Sequence, residues 1–192
     1  MLAGMFPRLR ILPALPLILL MVPTGSYPAT AQPRSDEPSV RVIPNRELSF
    51  GTFMVFGSGS RTISARGAVS DQGVVALEGA RTRPARFTIL YDKGRGKNDA
   101  IDVSVEIVIS TPSIVRENGV SAHLSAFQTD LPGYGRVSTG QVLKLRIDNC
   151  RSRRCSRSFN VGGQLHVTRQ FGGSNIVVPI ELDARVVAVD PI

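Results

Sequence analysis

Residues 101–109 alternate without a break: Ile101, Val103, Val105, Ile107 and Ile109 take every second position, and Asp102, Ser104 and Glu106 stand between them. Successive side chains of an extended strand point to opposite faces, so this spacing puts the branched apolar groups on one face and the polar groups on the other. A helix would scatter the same residues around its axis. The pattern predicts a strand with one face in the core and one in water.

The same period returns near the C-terminus, where Ile176, Val178, Ile180, Leu182, Ala184, Val186 and Ala188 alternate with Glu181, Asp183 and Arg185. This is the longest strand expected. Leu143, Leu145 and Ile147 alternate with Lys144 and Arg146, and Leu165 and Val167 flank His166. Weaker strands are expected at 39–43, 48–56, 62–66, 74–77, 86–91, 120–127 and 158–161. Turn residues fill the gaps: Gly57-Ser-Gly59, the run from Lys93 to Asn98, Pro132-Gly133, Gly162-Gly163 and Gly172-Gly173. Many short strands, regular turn signals and no helical periodicity predict an all-β fold, an immunoglobulin-like antiparallel sandwich of about seven to ten strands. A membrane-spanning barrel would show aromatic girdles, and this chain has no tryptophan and 3 tyrosines.

The first residues read differently. Arg8 and Arg10 precede the apolar run Ile11–Val22, which carries Pro13 and Pro16 and falls short of the roughly 20 residues needed to cross a bilayer. Helix breakers follow, and Ala29-Thr30-Ala31 supplies the small residues a signal peptidase accepts. Residues 1–31 are therefore expected to be a cleaved signal peptide, 32–38 a flexible polar leader, and 39–192 a single domain with no transmembrane segment after cleavage.

Export bears on the cysteines. Cys150 and Cys155 are the only two, and a short, even pair in an oxidising compartment predicts a disulfide. The alternative, a metal site, lacks further ligands nearby and places arginines between the two sulfurs.

The formal net charge is +8, and loss of Arg8 and Arg10 would leave the chain basic. Arginine far outnumbers lysine, which speaks to solubility more than to a partner. Two basic clusters fall on expected loops: Lys93, Arg95 and Lys97, and Arg151, Arg153, Arg154 and Arg157. Such groups can hold sulfate, phosphate or uronate through charge-assisted hydrogen bonds. Without interleaved aromatic residues they do not resemble a nucleic-acid groove, so no nucleic-acid partner is expected. No Gly-x-Ser-x-Gly elbow accompanies the two histidines, His123 and His166, and Gly57-Ser-Gly-Ser60 lacks the lysine of a phosphate loop. Asp99 and Asp102 read as solvated acids. No enzyme and no cofactor is expected.

The run Leu48-Ser-Phe-Gly-Thr-Phe53 resembles a motif of the domain of unknown function 4402 family, secreted bacterial proteins grouped with pilus-subunit-like sandwiches. The resemblance extends through 40–44, 73–79, 84–89, 162–167 and the final strand. The Cys150–Cys155 segment, the basic loop at 93–98 and the charged terminal strand depart from the family texture. Within the motif, Leu48, Phe50 and Phe53 read as core residues and Gly51 as a bulge or close approach. The resemblance implies a pilin-like, non-enzymatic surface or adhesion protein in the periplasm or on the cell surface of a Gram-negative bacterium. Its partners would be copies of itself or other surface subunits joined by strand addition, with Val40 and Val42 in the donor segment. The alternative is a periplasmic or extracellular module binding anionic glycans through the basic loops.

Overall fold

The computed structural model describes residues 37–77, 81–95, 99–171 and 177–192. The expected signal peptide, most of the leader, Lys97, Gly172-Gly173 and Ile176 lie outside them. Ten strands are described: β1 (Ser39–Arg46), β2 (Phe53–Ile63), β3 (Val69–Ala76), β4 (Ala85–Asp92), β5 (Ile101–Ser110), β6 (Val115–Glu117), β7 (Val120–Thr129), β8 (Val142–Cys150), β9 (Arg154–Arg169) and β10 (Glu181–Pro191). They form an all-β antiparallel sandwich, with no helix among the described residues.

One sheet contains β1-β4-β9-β2-β3, with β7 against β9 and β6 against β7. The other is β10-β5-β8. The alternation sets which faces meet: Val103, Val105, Ile107 and Ile109 of β5 are fully buried, against Leu143, Leu145 and Ile147 of β8 and against Phe87, Ile89, Phe159 and Val161 from the larger sheet. Phe87 and Phe159 stack at a tilt, with centroids 6.1 Å apart. Burying this apolar surface is the main driving force for the fold.

β9, not the C-terminal strand, is the longest among the described residues, and it joins two stretches that the turn expected at Gly162-Gly163 would separate. Gly162-Gly163 is no turn; it lies inside β9. Through Val161, β9 pairs with β4, and from Gly163 onward it pairs with β2 on that side, while β7 runs along the other from Val161 to Arg169. Ile63 and Ser64, where β2 ends, therefore pass directly over Gly162, and an added Cβ would sit 2.1 Å from the Ile63 carbonyl oxygen. Only glycine fits there.

Gly57-Ser-Gly59 is likewise inside a strand, at the break in β2–β3 register between Val55 and Ser60. The motif at 48–53 is strand only from Phe53 onward. Gly51 takes a left-handed φ of 68°, which turns the chain into β2, while Leu48, Phe50 and Phe53 pack against the core. The C-terminal strand begins at Glu181, later than its alternation implies, and Val177–Ile180 have no ladder partner among the described residues.

Candidate functional site

Two features of the sandwich carry the residues singled out by sequence. The first is the end where the sheets are joined. β8 belongs to the smaller sheet and β9 to the larger, so the link between them is a corner and not a hairpin within one sheet. Asn149, with a left-handed φ of 53°, turns the chain there. Cys150 and Cys155 are disulfide-bonded across the corner, with Cα atoms 5.7 Å apart.

The described members of both basic clusters converge on this end, but they do different things. Lys93 is buried: its ammonium donates to the carbonyl oxygens of Cys150 at 2.6 Å and Asp99 at 2.7 Å, and its backbone N–H donates to Arg153 O at 2.9 Å. It therefore presents no charge to a ligand, contrary to its expected place on an exposed loop, because three strand ends need its protons. Arg153 and Arg154 donate through Nε to the Asp92 carboxylate at 3.2 and 2.8 Å. Arg151 donates to Asn149 Oδ1 at 2.9 Å, and Arg157 to the Arg146 carbonyl at 2.6 Å. Arg95 is exposed on the same loop as Lys93.

Asp92 is the residue that sequence reasoning did not single out. It ends β4 just after Tyr91, and alternation with the buried Phe87, Ile89 and Tyr91 is the signal that turns it outward, into the arginines. The Arg154 guanidinium, then the Gly94 backbone N–H, hold its carboxyl down to a pKa of about 2, with Arg153 adding to the effect. Asp102 is also depressed, first by the Asn149 N–H and then by Arg146. Asp102, read from sequence as a solvated acid, is thus paired with the Asn149 N–H and Arg146. Burial raises the Tyr91 phenol.

The second feature lies along the other edge of the smaller sheet from β8, where β1 and β10 approach each other without forming a ladder. β1 pairs with β4 and β10 with β5. Val40 and Val42 face Tyr91 and Ile89 in register, and Leu182, Ala184 and Val186 face Ile109, Ile107 and Val105. The β4 and β5 partners are almost wholly buried, whereas these edge residues are partly buried. Apolar surface is thus left along an unpaired seam. Val40 and Val42, read as a donor segment, here complete the chain's own sheet.

The family described as Domain of unknown function (DUF4402) matches residues 40–175. The chain belongs to the DUF4402 family. No curated protein and no solved structure matches it significantly. The DUF4402 match runs from β1 through β9, so it takes in the core, the disulfide corner and the β1 side of the seam.

Proposed function

We propose that this chain is an exported, non-enzymatic structural or adhesive subunit of the cell surface that joins its neighbours by β-strand addition. The observation that carries the proposal is the seam: two edge strands, each unpaired along its outer edge among the described residues and with an inner face only partly buried. An extended segment entering there would pair with the edge of β10 and lay alternate apolar side chains beside Leu182, Ala184 and Val186. The donor is Ser39–Arg46 of a neighbouring copy. Pro44 and the register break that follows it weaken this strand's hold on its own β4.

Two measurements on the full exported chain test this: light scattering over a wide concentration range, and uptake of a labelled peptide spanning 39–46. Concentration-dependent assembly, with peptide uptake that competes with it, is expected. A monomer at every concentration that takes up no peptide would overturn the proposal.

A second reading, binding of anionic glycans, is favoured by one observation: Arg153 and Arg154 keep 56% and 63% of their side chains exposed although Asp92 anchors both. It requires salt-sensitive binding to a uronate or sulfate polysaccharide that is lost when Arg153→Ala and Arg154→Ala are combined. Absence of binding at low salt removes this reading.

A further inference from the structure

We infer that His123 and His166 form a binding site for a divalent transition-metal ion of the zinc class. The two residues stand directly opposite each other on β7 and β9. Their neighbours Ala122, Leu124, Leu165 and Val167 are buried, so alternation sends both imidazoles to the outer face, where each is partly exposed. The rings stack with centroids 5.0 Å apart and planes 14° from parallel.

Imidazole nitrogen suits Zn²⁺, Cu²⁺ and Ni²⁺. At Zn–N bonds of about 2.0–2.1 Å, two ligands of one tetrahedral ion have their nitrogens roughly 3.4 Å apart. The stacked rings, 5.0 Å apart at their centroids, must rotate about their side-chain torsions so that one nitrogen of each converges on the ion. The backbone is held: at this point β9 lies between β2 and β7, with Ser60 opposite His166 on its other side. Little ordering remains to oppose chelation. Ser121, Ser125, Gln164 and Thr168 share the outer face, and they offer hydroxyl and amide groups to the waters that complete the coordination. Among the described residues no group of three or more histidine, cysteine or acidic side chains is placed to hold a metal. The ion is therefore held by two protein ligands and binds more weakly than in a four-ligand structural site.

Calorimetric titration of the metal-stripped chain with Zn²⁺ tests this, with His123→Gln and His166→Gln alongside. One ion per chain is expected, and each variant should weaken binding by about tenfold or more, since losing even an outer-shell partner costs about that much. Melting in EDTA reports whether each variant is folded. Ring signals in the NMR spectrum of the native chain give a readout independent of the variants, and both histidines should shift together, saturating at one equivalent. No uptake up to about 1 mM Zn²⁺, uptake unchanged in both variants, or a shift of one ring alone overturns the inference.

Discussion

The buried ammonium of Lys93 donates to the carbonyl oxygen of Cys150, 2.6 Å away, and so sits directly beneath the disulfide corner. Its second bond reaches Asp99 O, just ahead of β5, and its backbone N–H reaches Arg153 O, just ahead of β9. One residue following β4 thus ties strand ends from both sheets. A carbonyl at a strand end has no ladder partner and is costly to bury unbonded, so the lysine offsets a penalty that the corner would otherwise carry.

Lys93→Met keeps most of the stem and removes the protons. Hydrogen bonds to charged groups contribute about 1.5–3 kcal/mol, and the two carbonyls would be left unpaired, so a loss of about 2–4 kcal/mol is expected. Urea unfolding measures it. A change below about 0.5 kcal/mol, typical of an exposed surface site, would contradict the buried clamp.

Asp92 predicts how the fold responds to acid. Its folded pKa of about 2 lies below the ordinary 3.8, so the folded state favours the carboxylate. The stabilisation is fully present above pH of about 4 and is lost as pH falls from about 4 toward about 2. Asp92→Asn should lower the melting temperature at neutral pH, and the gap to the native protein should close in that acid window. Asp102, also depressed, leaves the variant a residual acid sensitivity. A gap that stays constant from pH 7 to 2 would refute this account.

Fold class was readable because period-2 alternation is a local property: β5 and β8 follow it almost residue by residue, and the core-facing set at 103–109 is the buried set. What alternation does not encode is which strand neighbours which. Hence the sequence of Cys150–Cys155 predicts a disulfide but not that it joins two sheets, and Lys93 reads as a loop cation when three strand ends meet over it. β6 lacked the length to show a period, yet Asn118-Gly119, with φ of 48° and 77°, is a strong two-residue hairpin signal for pairing Val115–Glu117 with β7. Gly57-Ser-Gly59 and Gly162-Gly163 misled because glycine marks both turns and close approaches, and only the tertiary neighbour tells which.

Replacing Cys150 and Cys155 with serine should cost about 2 kcal/mol, the low end for a disulfide, because the closed loop is short. Lys93 and the disulfide brace the same corner, so their losses should not add. The double-mutant cycle combining Lys93→Met with the serine pair is expected to show a coupling of about 0.5 kcal/mol or more. Strict additivity would mean that the two features stabilise separate parts of the sandwich.

Gly162 offers the sharpest local test of the topology. It lies where β4 ends its pairing with β9 and β2 begins, and a methyl group there would meet the Ile63 carbonyl oxygen at 2.1 Å and the Ser64 carbonyl carbon at 2.5 Å. Both are backbone atoms, so relief requires moving β2 off β9. Gly162→Ala should therefore cost about 3 kcal/mol or more, at or above the upper end of the usual overpacking cost. Gly135→Ala is the matched control: nothing lies within 4 Å of its added Cβ and its φ is outside the left-handed region. That change should be neutral, or stabilising by about 0.4–1 kcal/mol through the unfolded chain. Denaturant midpoints of the two variants decide the matter. If Gly162→Ala matches Gly135→Ala, β2 does not cross β9 at this point, and the change of neighbour from β4 to β2 is wrong.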